Sequence, residues 1–81
     1  MSKLRVLSGS DVLKILKTSG FSLVEQRGSH MELVRVVEDH RQVLTVANHE
    51  VIDKGTLKAV FRQASRYIPE GELRKSFYTA D

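Results

Sequence analysis

The 81-residue sequence has no cysteine, no tryptophan and a single proline. The first absence removes disulfides and thiolate metal sites as means of holding a small fold together. The second, with only three phenylalanines and two tyrosines present, argues against a base-stacking surface of the RNA-recognition-motif kind. No stretch approaches the ~20 apolar residues of a membrane-spanning helix. The opening Met1-Ser2-Lys3-Leu4-Arg5 lacks the apolar run of a secretory signal. A soluble, cytoplasmic protein without membrane contact is therefore expected. Repeats, low-complexity tracts and linkers are also missing, and this length leaves room for one domain. So small a domain buries little surface against its chain entropy, and most of its apolar residues have to serve the core.

What is present is a modest excess of cations, thirteen Lys and Arg against ten Asp and Glu, for a net charge of +3. That balance suits a polyanionic partner, but many ordinary small proteins share it. The first element is well punctuated. Ser8-Gly9-Ser10-Asp11 fits a capping box, with Leu7 and Val12 placed as its hydrophobic staple. Val12, Leu13, Ile15 and Leu16 follow at helical spacing. Gly20 sits where a left-handed residue would close the helix and return Phe21 onto Leu16. A helix is expected from about Gly9 to Ser19.

Three strand-like runs come next: Phe21 to Gln26, His30 to Val37 and Gln42 to Ala47. They are rich in β-branched residues and separated by turns at Arg27-Gly28-Ser29 and Glu38 to Arg41. Short turns favour an antiparallel meander. A second helix, capped by Asp53, carries Leu57, Val60, Phe61, Ala64 and Ile68 on one stripe, and Pro69 ends or interrupts it. The predicted fold is α+β, in the order α-β-β-β-α: a three-stranded antiparallel sheet with two helices on one face, as in the double-stranded-RNA-binding domain. The core spans about residues 8–73. Beyond it, Leu73 and Phe77 allow one short helical turn in an otherwise frayed tail, residues 74–81.

Several segments resemble the HicA family. Ser8-Gly9 followed by a helix ending at Gly20-Phe21 is similar to its opening, and Gln26-Arg27-Gly28-Ser29-His30 to its central motif. Val46-Ala47-Asn48-His49 stands where the family often has Val-Pro-x-His. Lys54-Gly55-Thr56-Leu57 and Phe61-Arg62-Gln63-Ala64 resemble its closing helix. Each motif alone is weak; four in order on matching elements are specific. The chain departs from the pattern at Ala47, at Ser65 where a glycine is common, at the exit Pro69-Glu70-Gly71-Glu72, and in a hairpin around Glu38 to Arg41 that reads a few residues longer than typical. The resemblance implies the toxin of a type II toxin–antitoxin pair. Such a toxin is a metal-independent endoribonuclease (mRNA interferase) of messenger RNA, neutralised by a HicB antitoxin that covers the active site. Carried over by position, His30 is the catalytic residue.

One histidine is chemically sufficient, because RNA supplies its own nucleophile, the ribose 2′-hydroxyl. An imidazole with a pKa near ~6.5 can take or give the protons involved. Arg27 and the backbone at Gly28-Ser29 are the nearest groups for gripping the phosphate, and Lys54 at the start of the second helix is placed to bind it. Bland readings stand beside these. A histidine after a Gly-Ser turn commonly just starts a strand, Gly28 is explained by a positive φ alone, and Arg27 by a solvated turn. His49 reads as holding a connection, and His40 as idle at a hairpin tip. With His30, His40 and His49 spaced ten and nine residues apart, no metal site is expected, nor any small-molecule cofactor. Two other functions stay open: a non-catalytic RNA-binding module of the same fold, and an inactive chain that keeps only its antitoxin-binding surface.

Overall fold

A computed structural model describes residues 2–80. The elements follow the chain as α1 (Gly9–Thr18), β1 (Ser22–Arg27), β2 (His30–Val37), β3 (His40–Ala47), α2 (Lys54–Ala64) and α3 (Glu70–Phe77). The strands form one antiparallel sheet in the order β1-β2-β3, so the α+β meander expected from the turns is what forms, with a third helix added.

Helix α1 is bounded as its end residues dictate. Ser8 Oγ accepts from the Asp11 N–H at 3.0 Å, and Asp11 Oδ2 accepts from the Ser8 N–H at 3.0 Å, which satisfies two otherwise orphan donors. At the other end Gly20 has φ +95°, and the N–H groups of Gly20 and Phe21 donate to Lys17 and Leu16 carbonyls, the paired bonds of a Schellman ending. Val12, Leu16 and Phe21 are thereby sunk in the core.

Side chains alternate across the sheet. Met31, Leu33, Leu44 and Val46 are buried beneath the helices, while Glu32, Val34, Val43 and Thr45 share the opposite, uncovered face. In β1 the alternation is broken by a bulge between Leu23 and Glu25. The extra residue, Val24, lets Leu23 pair on the core side with Leu33 and Glu25 pair on the open side with Glu32. Arg35 is the charged exception on the covered face. Its guanidinium donates to Ser19 O at 2.8 Å, Tyr67 O at 2.9 Å and Gln42 Oε1 at 2.8 Å, and lies 4.9 Å from the centre of the Phe21 ring. One side chain thus closes the C-terminal ends of α1 and of the segment after α2.

Three expectations need correction. The second hairpin is not long: its loop is Glu38-Asp39 alone, both at positive φ, and β3 begins at His40 rather than Gln42. Two positive φ values are what a tight two-residue turn requires. Helix α2 stops at Ala64, not at Ile68. Beyond it the backbone bonds tighten to i→i−3, Arg66 N–H donating to Gln63 O at 3.3 Å and Tyr67 N–H to Ala64 O at 3.0 Å. The Tyr67 carbonyl goes to Arg35, and Ile68, preceding Pro69, is disfavoured in helical conformation.

The expected frayed tail, residues 74–81, is ordered over its described part, and residue 81 lies outside the described residues. α3 spans two turns, Leu73 and Phe77 are buried, and the Phe77 ring meets Phe61 edge-on with centroids 5.4 Å apart. The segment after it pairs with the chain start: Leu4 bridges Tyr78, Arg5 N–H donates to Phe77 O at 2.8 Å and Thr79 N–H to Lys3 O at 2.7 Å. Among the described residues no helix is long and apolar enough to cross a membrane.

Asp11 and Asp53 have carboxyls held below their ordinary 3.8. For Asp11 the main cause is the backbone N–H of Ser8, and for Asp53 the Thr56 hydroxyl. A folded value below the unfolded one adds stability that is complete above the unfolded value and is lost as pH falls through the folded one. The melting temperature should therefore drop below about pH 3.8. Asp53→Asn keeps a capping oxygen but removes the charge, so it should flatten that slope. Melting profiles of equal acid slope for wild type and variant would contradict this assignment.

Candidate functional site

The Gly-Ser turn is tighter than its sequence alone requires. Arg27 pairs directly with His30, leaving Gly28 and Ser29 as a two-residue loop. Gly28 has φ +54°, and Ser29 is not among the positive-φ residues, the φ pattern of a type II′ hairpin. A Cβ added at Gly28 would meet nothing within 4 Å. Glycine is needed there for its backbone angle, and the surrounding space is open to an approaching group.

This geometry fixes His30 as the first residue of β2, paired with Arg27 on one side and Ala47 on the other. Its side chain is exposed on the uncovered face of the sheet. A shallow depression of about 110 Å³ is lined by Glu25, Arg27, His30, Met31, Glu32 and Thr45. Sequence reasoning does not single out Glu25, Glu32 or Thr45, although the pairing of Glu25 with Glu32 and of Glu32 with Thr45 brings them onto His30's face. Glu32 was findable, being two residues from His30 on one strand. Glu25 was findable too, standing two residues before Arg27 on a regular stretch of β1, because the bulge lies beyond it.

Arg27 pairs across the hairpin with His30 and lines the same depression. Its Nε donates to Glu25 Oε2 at 2.9 Å, and its side chain is 83% exposed. Such a surface pair is weak, and the other guanidinium N–H groups have no protein partner among the described residues. They are free to turn toward an anion. Glu32 is partnered loosely by Arg41 at 3.8 Å.

The turn is held from behind. Ser29 O accepts from the Asn48 N–H at 2.7 Å, and His49 O accepts from the Gly9 N–H at 2.8 Å. His49 therefore does hold the connection, but through its main chain; its side chain is exposed and acts electrostatically on Asp53. His40 lies at the opposite end of β2–β3, paired with Val37. Lys54 opens α2 and lines a different depression, with Lys3 and Lys58, so the structure brings Arg27, Gly28, Ser29 and His30 together and leaves Lys54 apart. Among the described residues no three His, Asp or Glu side chains gather in a metal-binding arrangement.

Gly9 explains how α1 supports this corner. A Cβ there would stand 2.6 Å from Ala47 O and 2.7 Å from the Asn48 Cα, both backbone atoms that cannot swing away. Gly9→Ala should destabilise the fold by about 1–3 kcal/mol, even though alanine is the better helix former. A thermal melt at or above the wild-type temperature would show that the corner yields.

A family model described as the HicA toxin of bacterial toxin-antitoxin systems matches residues 9–65, well over half of the chain. The match begins at the Gly9 corner, includes the Gly28-Ser29-His30 hairpin, and ends just after α2. No match was found among curated proteins or among solved structures. The chain belongs to the HicA toxin family and is thus the toxin member of a toxin–antitoxin pair.

Proposed function

We propose that the protein is an endoribonuclease that cuts messenger RNA without a metal ion, and that a HicB-type antitoxin neutralises it. The observation that carries this is the placement of His30. An exposed imidazole stands at the lip of an open two-residue turn, inside the span that matches the family.

Cleavage needs the 2′-hydroxyl deprotonated, charge on the phosphorane stabilised and the 5′-oxygen protonated. His30 acts as the general base or acid in these transfers. Arg27 turns its unpartnered N–H groups to the phosphate, and the backbone around Gly28 and Ser29 lies open beside it. Glu25 and Glu32 on the same face limit how many phosphates can crowd the site, which favours one scissile group over a long contact there. Lys54 contributes a more distant phosphate contact.

The direct test is incubation of purified protein with single-stranded RNA in EDTA. Products ending in a 2′,3′-cyclic phosphate are expected, since the nucleophile is internal to the substrate. Bound but intact RNA would sink the nuclease reading and leave an RNA-binding module.

A further inference from the structure

We propose, on the reading of this chain as a protein that acts on RNA, that a second, cationic groove away from His30 holds the ribose-phosphate backbone of single-stranded RNA. Its walls are the N-terminal segment, the outer face of α2 and Tyr78.

The groove is a depression of about 620 Å³ lined by Lys3, Leu4, Val6, Lys54, Lys58 and Tyr78, against about 110 Å³ at His30. None of these lining residues is a carboxylate. Its floor is built by tertiary contacts rather than by a single loop. Lys3 is tied at both backbone groups, its N–H donating to Thr79 Oγ1 at 2.9 Å and its carbonyl accepting from the Thr79 N–H at 2.7 Å. Tyr78 is wedged edge-on against Phe61 at 5.4 Å, with the Arg74 guanidinium 4.3 Å from its ring centre. Lys3 is thus anchored across from α2, although 51 positions before Lys54 in sequence.

On α2, Lys54, Lys58 and Arg62 recur every fourth residue and share one face, about 6 Å apart per step along the axis. Like charges at that spacing repel. Lys54 also stands in the first helical turn, which contains no acidic residue and where the dipole disfavours a cation. Helix stability accounts for Arg62, which lies in the last turn, but gives no reason for Lys54 and Lys58. A polyanion lying along the row does, and a step of this size is comparable to that between successive phosphates of an extended strand. Val6, 78% exposed among the lysines, offers an apolar surface to sugar or base.

The groove also leads to the hairpin. The connection from Asn48, which bonds Ser29, to Asp53, which caps α2, places Lys54 within about 22 Å of Asn48 even if fully extended. One strand of a few nucleotides can span both, so the groove binds and His30 cuts. An acidic protein segment could also neutralise lysines, but the regular row of separated charges favours a repeating anion.

The test is fluorescence anisotropy with a labelled single-stranded 2′-O-methyl RNA, which lacks the nucleophile and stays intact whichever residue is catalytic. Lys3→Ala/Lys58→Ala should raise Kd on the order of tenfold and lower the salt slope by about 1.4, at ~0.7 for each phosphate no longer neutralised. Lys58→Arg should bind as wild type, and the α1 control Lys14→Ala/Lys17→Ala should leave the slope unchanged. Unaltered Kd and slope in the groove variant would overturn the proposal, as would an equal loss in the α1 control. Tighter, Lys58-dependent binding of poly-glutamate than of RNA would also overturn it, in favour of an acidic protein. Cleavage of unmodified RNA in EDTA separates the two readings. Cleavage with no groove effect sinks the groove alone, and groove-dependent binding without cleavage sinks the nuclease alone.

Discussion

His30→Ala should reduce RNA cleavage by about 10²–10⁴-fold, the range that a positioned general acid or base supplies, and should abolish growth arrest on expression. The variant should melt with wild type, because the side chain is exposed and the strand pairing of His30 with Arg27 and Ala47 uses only backbone. The comparison thus separates chemistry from folding. RNA affinity should change little, since imidazole contributes to proton transfer more than to backbone binding. His40→Ala makes a useful control at the far end of the same hairpin. If His30→Ala cleaves at the wild-type rate, the imidazole is merely a strand-start residue and the activity resides elsewhere.

The second large effect concerns stability. Phe77→Ala should cost about 3–5 kcal/mol, the usual range for removing a buried aromatic. Total stability of a domain this size is only about 5–15 kcal/mol, so the melting temperature should fall by more than ten degrees. Phe77 is fully buried, and the substitution also removes the edge-on partner of Phe61. It would loosen the pairing of Arg5 with the end of α3 as well. Lys75→Ala, on the exposed side of the same helix, should stay within about 0.5 kcal/mol of wild type. A near-neutral Phe77→Ala in chemical denaturation would mean that the segment after Leu73 is dispensable.

Local signals are readable from the chain wherever the cause is local. The Ser8–Asp11 capping box needs only residues three apart, and the Gly20 ending only the tolerance of glycine for positive φ. The Gly28-Ser29 hairpin and the β2 alternation that buries Met31 and Leu33 follow the same logic. The Glu38-Asp39 turn is harder to read, because neither residue is the glycine that such a turn usually advertises. Ile68 keeps the apolar spacing and so suggests a longer α2, whereas the turn after Ala64 tightens to i→i−3 bonds and the Tyr67 carbonyl goes to Arg35.

By itself, then, the sequence determined the α-β-β-β-α order, the position of His30 beside an open Gly-Ser turn, and the family, because each depends on neighbours within a few residues or on order along the chain. Only the tertiary structure decided the rest. Arg35 ties the end of α1 to the segment after α2 through carbonyls 16 and 32 residues away, and a bulge of one residue turns Leu23 to the core side of the sheet. Lys3 reaches the α2 groove through bonds to Thr79, 76 positions on. Such contacts depend on how finished elements dock, and no periodicity encodes them: burial and backbone pairing select partners by shape, after local structure has already been settled.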